Sequence, residues 1–253
     1  HKRRYTAVER QIGYRRFYFV LTIFQMKIGS GFHELLPATE IETGELPEYV
    51  IIWLHGLGAD GNDFVPIVDQ LNLPLNKSIR FVFPHASERP ITINNGYVMR
   101  AWYDIKDSNF NASEDELGIR HSQKAIEALI EREIESGIAT KRIIVAGFSQ
   151  GGVIALQVGL RYAKPLAGIL ALSCYLSLSE SLVVEVNRRN LAIPIFMAHG
   201  IGDDVIPLSY AVRSKEMIKT VGYMPEWHEY PMAHSVCNQE LHDISRWIQA
   251  VFS

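Results

Sequence analysis

The sequence predicts an α/β domain with a mostly parallel central sheet flanked by helices on both faces, on three observations. From Tyr49 onward, short apolar runs alternate with longer amphipathic stretches, the pattern of strand and helix in turn. Several of these runs are continuously apolar, as strands covered on both faces must be. The chain has 253 residues, 47% of them hydrophobic, which suits one large core at the upper end of single-domain size.

In order, the expected strands are residues 49–54, 80–83, 142–146, 167–172, 193–198 and 226–230, each ending near a Gly, Pro, His or Ser. Helices are expected over 119–136, 152–162, 207–220 and 237–252. Pro207 suits a first helical position, because its ring presets φ and its missing N–H would have no partner there. There is no internal repeat and no linker after residue 30, so residues 31–253 are expected to form one domain.

Residues 1–30 read as a basic, dispensable extension. Its apolar run from Phe17 to Phe24 is far below the roughly 18 residues a membrane span needs, and no small-residue cleavage site follows it. A weak membrane-surface arm is the alternative. Residues 1–27 hold seven Lys/Arg and one Asp/Glu, which leaves the other 226 residues at a net −9. Such an acidic body excludes nucleic acid as the expected partner. Cys174 and Cys237 form neither a C-x-x-C pair nor a zinc-ligand spacing. A reduced, cytoplasmic protein without metal chemistry is the expectation.

The chemistry begins at Gly147-Phe148-Ser149-Gln150-Gly151. This is G-x-S-x-G with an apolar strand before it and a small-residue helix after it, the context of a nucleophile elbow in an α/β-hydrolase fold. The turn is so tight that neighbouring positions must lack side chains. It lifts the serine oxygen above the sheet and puts a helix N-terminus behind the reaction centre, where developing negative charge is favoured. A serine hydroxyl also needs a base, and the base a carboxylate to orient it. His234 lies past the last strand and ahead of the last helix, where a loop can aim it at Ser149. His199, His228, His242, His55 and His85 fit worse and read as hydrogen-bonded structural residues. The loop after residues 193–198 offers two adjacent acids, Asp203 and Asp204. Of the two oxyanion donors that acyl transfer needs, one is the N–H of Gln150. The other should come from the glycine-bearing loop over residues 53–64.

The stretches HGLGADGNDF, FPHA, RAWYDI, GIATKRIIVAGFSQGG and LAGILALSCYL, with His199 to Pro207 and HSVC, occur in that order. Together they resemble the acyl-protein thioesterase and small carboxylesterase family, also called phospholipase/carboxylesterases, over about residues 33–252. The resemblance implies a serine hydrolase of carboxylic esters or acyl thioesters, lipids and acylated proteins included, that works without a cofactor as a monomer or weak homodimer. It implies Ser149 as nucleophile, His234 as base, Asp203 as acid, and the N–H groups of Leu57 and Gln150 as oxyanion donors. It also puts Trp102 and the loop from Asp107 to Leu117, with Phe110, against the acyl chain; the competing expectation is that Trp102 packs in the core. A peptidase or acyltransferase with the same triad, or a non-catalytic binding protein on this fold, are the alternative functions.

Overall fold

In a computed structural model the described residues are 17–21, 25–28, 31–74, 76–109 and 113–253. Twelve strands lie among them: β1 (Phe17–Leu21), β2 (Gln25–Ile28), β3 (Gly31–Glu34), β4 (Ala38–Glu42), β5 (Tyr49–Leu54), β6 (Ile79–Pro84), β7 (Glu88–Ile91), β8 (Tyr97–Arg100), β9 (Ile143–Phe148), β10 (Gly168–Leu172), β11 (Ile195–Gly200) and β12 (Glu226–Tyr230). Six α-helices join them: α1 (Ile67–Gln70), α2 (Glu116–Glu135), α3 (Gln150–Gly159), α4 (Ser179–Glu185), α5 (Leu208–Thr220) and α6 (Asn238–Val251). The main sheet has the order β1-β4-β6-β5-β9-β10-β11-β12. From β6 to β12 every pairing is parallel, while β4 and β1 are added antiparallel at one edge. Two small hairpins, β2–β3 and β7–β8, stand apart from it.

Strand periodicity explains the layers. Along β5, Val50, Ile52 and Leu54 face one core and Ile51 and Trp53 the other, because successive side chains of a strand point to opposite faces. The first core takes Ile126, Leu129 and Ile130 from α2, Val153 and Leu156 from α3 and Ile218 from α5. The second takes Ile67 and Val68 from α1 and Ile244, Trp247 and Ile248 from α6. Both faces are therefore covered, as the continuous apolar runs require.

Three local differences from the sequence reading have plain causes. The strand expected over 142–146 runs on through Gly147 to Phe148, and α3 starts at Gln150, so Ser149 is the whole connection. Pro207 caps α5 and is not its first residue: its φ of −53° is what the ring imposes, but ψ is 137°, outside the helical region. Strand β4, next to the edge strand β1 and not foreseen, carries charge within its run at Glu40 and at its end at Glu42. Among the described residues no helix is long and apolar enough to cross a membrane, and no group of His, Cys, Asp and Glu is set to hold a metal ion.

Candidate active site

The parallel strands deliver four loops to the carboxyl edge of the sheet, and the candidate residues sit on them. Ser149, between β9 and α3, has φ 54° and ψ −123°, a backbone conformation that side chains other than glycine rarely tolerate. It is held there by its own N–H, which donates to Leu172 O at 2.9 Å, and by its carbonyl, which accepts from Val153 N–H at 3.1 Å. The glycines are a steric necessity. A Cβ on Gly147 would run into the backbone of Gly151, and one on Gly151 into the carbonyls of Leu54 and His55. A Cβ on Gly152 would lie 2.8 Å from Cys174.

His234, between β12 and α6, presents Nδ1 to Asp203 Oδ2 at 2.7 Å. An ionised carboxylate only accepts, so the proton is on Nδ1 and Nε2 is left free. Asp203, after β11, is buried, and each of its oxygens has partners. Oδ1 accepts from the N–H groups of Val205 at 3.0 Å and Ile206 at 2.8 Å, and Oδ2 also lies 3.2 Å from His199 Nε2. His199 Nε2 is 2.8 Å from Ile206 O as well, so it too is an N–H. Burial holds the pKa of His199 below its ordinary value, and its N–H is spent on Ile206 O, leaving Asp203 Oδ2 as a neighbour. The adjacent Asp204 is exposed. The His234 ring packs 4.8 Å, centroid to centroid, from Phe148, the residue before Ser149.

The loop after β5 lies against the elbow: a Cβ on Gly56 would be 3.5 Å from Ser149 Cβ. Leu57 is half-buried in that loop. Gly58, at φ 75°, donates its N–H to Arg100 O at 2.9 Å, and Asp60 caps the turn that follows through Asn62 N–H at 2.7 Å. On the other side of Ser149, Gln150 opens α3, where an N–H has no acceptor within the helix.

Trp102 departs from the expectation that it faces an acyl chain. Its side chain is only 1% exposed, with the indole N–H donating to His55 O at 2.8 Å and the ring 5.1 Å from the His55 ring. Its backbone N–H donates to Gln150 Oε1 at 2.8 Å, while Gln150 Nε2 donates to Tyr103 O at 2.7 Å. Trp102 is thus a strut between the two loops that flank Ser149. Leu117 is 85% exposed on the first turn of α2, and Phe110 lies outside the described residues. Before α2, Asp104 N–H donates to Asp115 Oδ2 at 2.9 Å, and Asp104 Oδ1 accepts from Thr92 N–H at 2.7 Å.

Residues 37–252 match the phospholipase/carboxylesterase family. The chain is 39% identical to acyl-protein thioesterase 1 of Neurospora crassa over 223 residues, 85% of this chain and 89% of that protein. Against acyl-protein thioesterase 1 of Yarrowia lipolytica it is 33% identical, over 84% of this chain and 96% of the other. Among solved structures, Arabidopsis thaliana SOBER1 superposes with a TM-score of 0.77 at 31% identity, covering 81% of this chain and 99% of the other. Zea mays acyl-protein thioesterase 2 gives 0.75 at 25% identity, with 83% and 96% covered.

Proposed function

Because the chain belongs to the phospholipase/carboxylesterase family, and so is a serine hydrolase of esters and thioesters, we propose that Ser149, His234 and Asp203 carry its chemistry as nucleophile, base and acid. His234 Nε2 takes the Ser149 proton as Oγ attacks the acyl carbon, and returns it to the leaving alcohol or thiol. Water then enters on the same base and hydrolyses the acyl-enzyme. Asp203 fixes the tautomer and stabilises the imidazolium. The N–H groups of Leu57 and Gln150 receive the tetrahedral oxyanion, each worth roughly 3 to 4 kcal/mol. The observation that carries the reading is the 2.7 Å contact of His234 Nδ1 with Asp203 Oδ2, on a ring packed against Phe148, the residue before a serine in a strained elbow.

The likeness to acyl-protein thioesterases supports acylated proteins as the substrate class, cleaved at the thioester of a modified cysteine. The free Cys174 and Cys237 support a reducing, cytoplasmic setting. The test is Ser149→Ala, which should abolish fluorophosphonate labelling and the hydrolysis of both a p-nitrophenyl ester and an S-acylated peptide while the protein stays folded. Turnover that survives the substitution removes Ser149 from the site. Turnover of the ester alone by the wild type would restrict the substrate class to oxygen esters.

A further inference from the structure

His55 follows β5 and is fully buried, yet both ring nitrogens are engaged. Nε2 accepts the Ala86 N–H at 3.1 Å, so the ring is neutral with its proton on Nδ1, and that N–H donates to Gly56 O at 2.7 Å. Gly56 O belongs to the same planar peptide unit as the Leu57 N–H, and across a trans peptide the two bonds point in opposite directions. Whatever holds the carbonyl therefore aims the N–H. We propose that His55 is a positioning residue whose imidazole locks the Gly56–Leu57 peptide so that the Leu57 N–H points into the oxyanion hole, an inference that rests on the reading of Leu57 as a donor.

The surroundings favour this role over packing alone. Apart from the imidazole, Gly56 O accepts only a longer turn bond, from Ala59 N–H at 3.3 Å, and glycines at 56 and 58 leave that peptide easy to turn over. The hold is reciprocal: His55 takes an N–H from the loop after β6, and in return His85 of that loop accepts Gly61 N–H on Nδ1 at 3.1 Å. The series from Ala86 N–H through the imidazole to Gly56 C=O aligns its dipoles in one sense, which strengthens the donor at its end. Burial keeps His55 neutral by lowering its pKa, with the Gly56 carbonyl opposing. Of the charged groups that face it, His85 acts with burial and Asp60 and Asp63 act against it.

Two substitutions separate holding from filling. Asn can offer an N–H near the position of Nδ1, whereas Gln reaches the position of Nε2 and leaves Gly56 O with only the 3.3 Å turn bond from Ala59 N–H. His55→Gln should lower kcat about 10²-fold, the loss of one oxyanion donor, with KM changed less than about threefold. His55→Asn should keep kcat within about tenfold of the wild type. Equal losses in the two variants, or a loss confined to KM, would overturn the proposal. Should a variant fail to fold, the imidazole ¹⁵N shifts of the wild-type protein decide: a neutral Nδ1–H ring supports the proposal and an Nε2–H ring ends it. Ser149→Ala runs in the same assay. If it retains turnover, the underlying site reading fails; if it is dead while His55→Gln turns over normally, only the role of His55 fails.

Discussion

Asp203 and Asp204 are chemically identical neighbours, and only their surroundings separate them. Asp203 is buried with both oxygens engaged, one by two backbone N–H groups and the other by the His234 imidazole with His199 beside it, while Asp204 stands in solvent. Asp203→Asn would present an amide to His234 Nδ1 and favour the wrong tautomer, so kcat should fall on the order of 10⁴-fold. Asp204→Asn should leave it within about twofold. The reverse order in an ester assay would exchange their roles. The elbow at Ser149 and the place of His234 after β12 are legible in the sequence, because a tight elbow dictates glycines at fixed offsets and His234 stands between the last strand and the last helix. Trp102 is not, since an indole serves equally as acyl surface or as core, and only its N–H on His55 O decides. Glu240 is a second case hidden from sequence. It opens α6 as an ordinary first-turn acid, yet its side chain is fully buried, and burial pushes its pKa up to about 8, with the Cys237 backbone opposing. The folded state thus keeps a proton that the unfolded chain gives up near pH 4.5, and stability falls as pH rises from there to about 8. Glu240→Gln should flatten that fall. Its Tm should exceed the wild-type value at pH 8 and 9 but not at pH 5, and parallel curves would rule the effect out.

At the scale of elements, most strands foreseen from apolar runs are buried on both faces, β12 with Glu226 and Glu229 exposed being the exception. Strand β4 went unseen because its run is short and carries charge. The structure shows why β4 tolerates that charge. Arg132 of α2 reaches Glu40 at 2.6 Å and Glu133 of its own helix, and Arg80 of β6 pairs with Glu133 at 2.6 Å and with Glu42 at 2.8 Å. The network fastens α2 across β4 and β6. Glu133 is fully buried and Glu40 nearly so, and burial raises the pKa of Glu40 against the pull of Arg132. Taking one partner from a buried ion network leaves uncompensated charge, at a cost of about 3 to 5 kcal/mol. Arg132→Met should therefore lower unfolding free energy by that amount in urea titration while kcat on a short ester is unchanged, since the elbow rests on α3 and β9. A cost below about 1 kcal/mol would mean that solvent already screens the network.

For the molecule as a whole, the fold class was legible because an alternation of apolar runs and amphipathic stretches leaves few ways to cover both faces of a sheet. The N-terminal edge was not, because a strand that is added last carries no signal beyond a short apolar run. Phe17–Leu21, within the stretch read as dispensable, forms β1 and pairs antiparallel with β4 in register from Phe17 opposite Glu42 to Leu21 opposite Ala38. The candidate site is built on β5, β9, β11 and β12, and β6 and β4 separate β1 from the nearest of these. We therefore propose that residues 31–253 form the catalytic domain and that residues 1–30 do no chemistry. They have a physical consequence all the same, because β1 satisfies the outward N–H and C=O groups of β4, and a sheet edge left open is a template for pairing with another chain. Deleting residues 1–25 should leave kcat/KM for a soluble short ester within about twofold. The truncated protein should self-associate with rising concentration in light scattering, whereas deletion of residues 1–16, which spares β1, should behave like the full chain. Loss of turnover by freshly isolated truncated monomer would show that the arm supports the site, and identical scattering from all three proteins would show that β4 needs no cover.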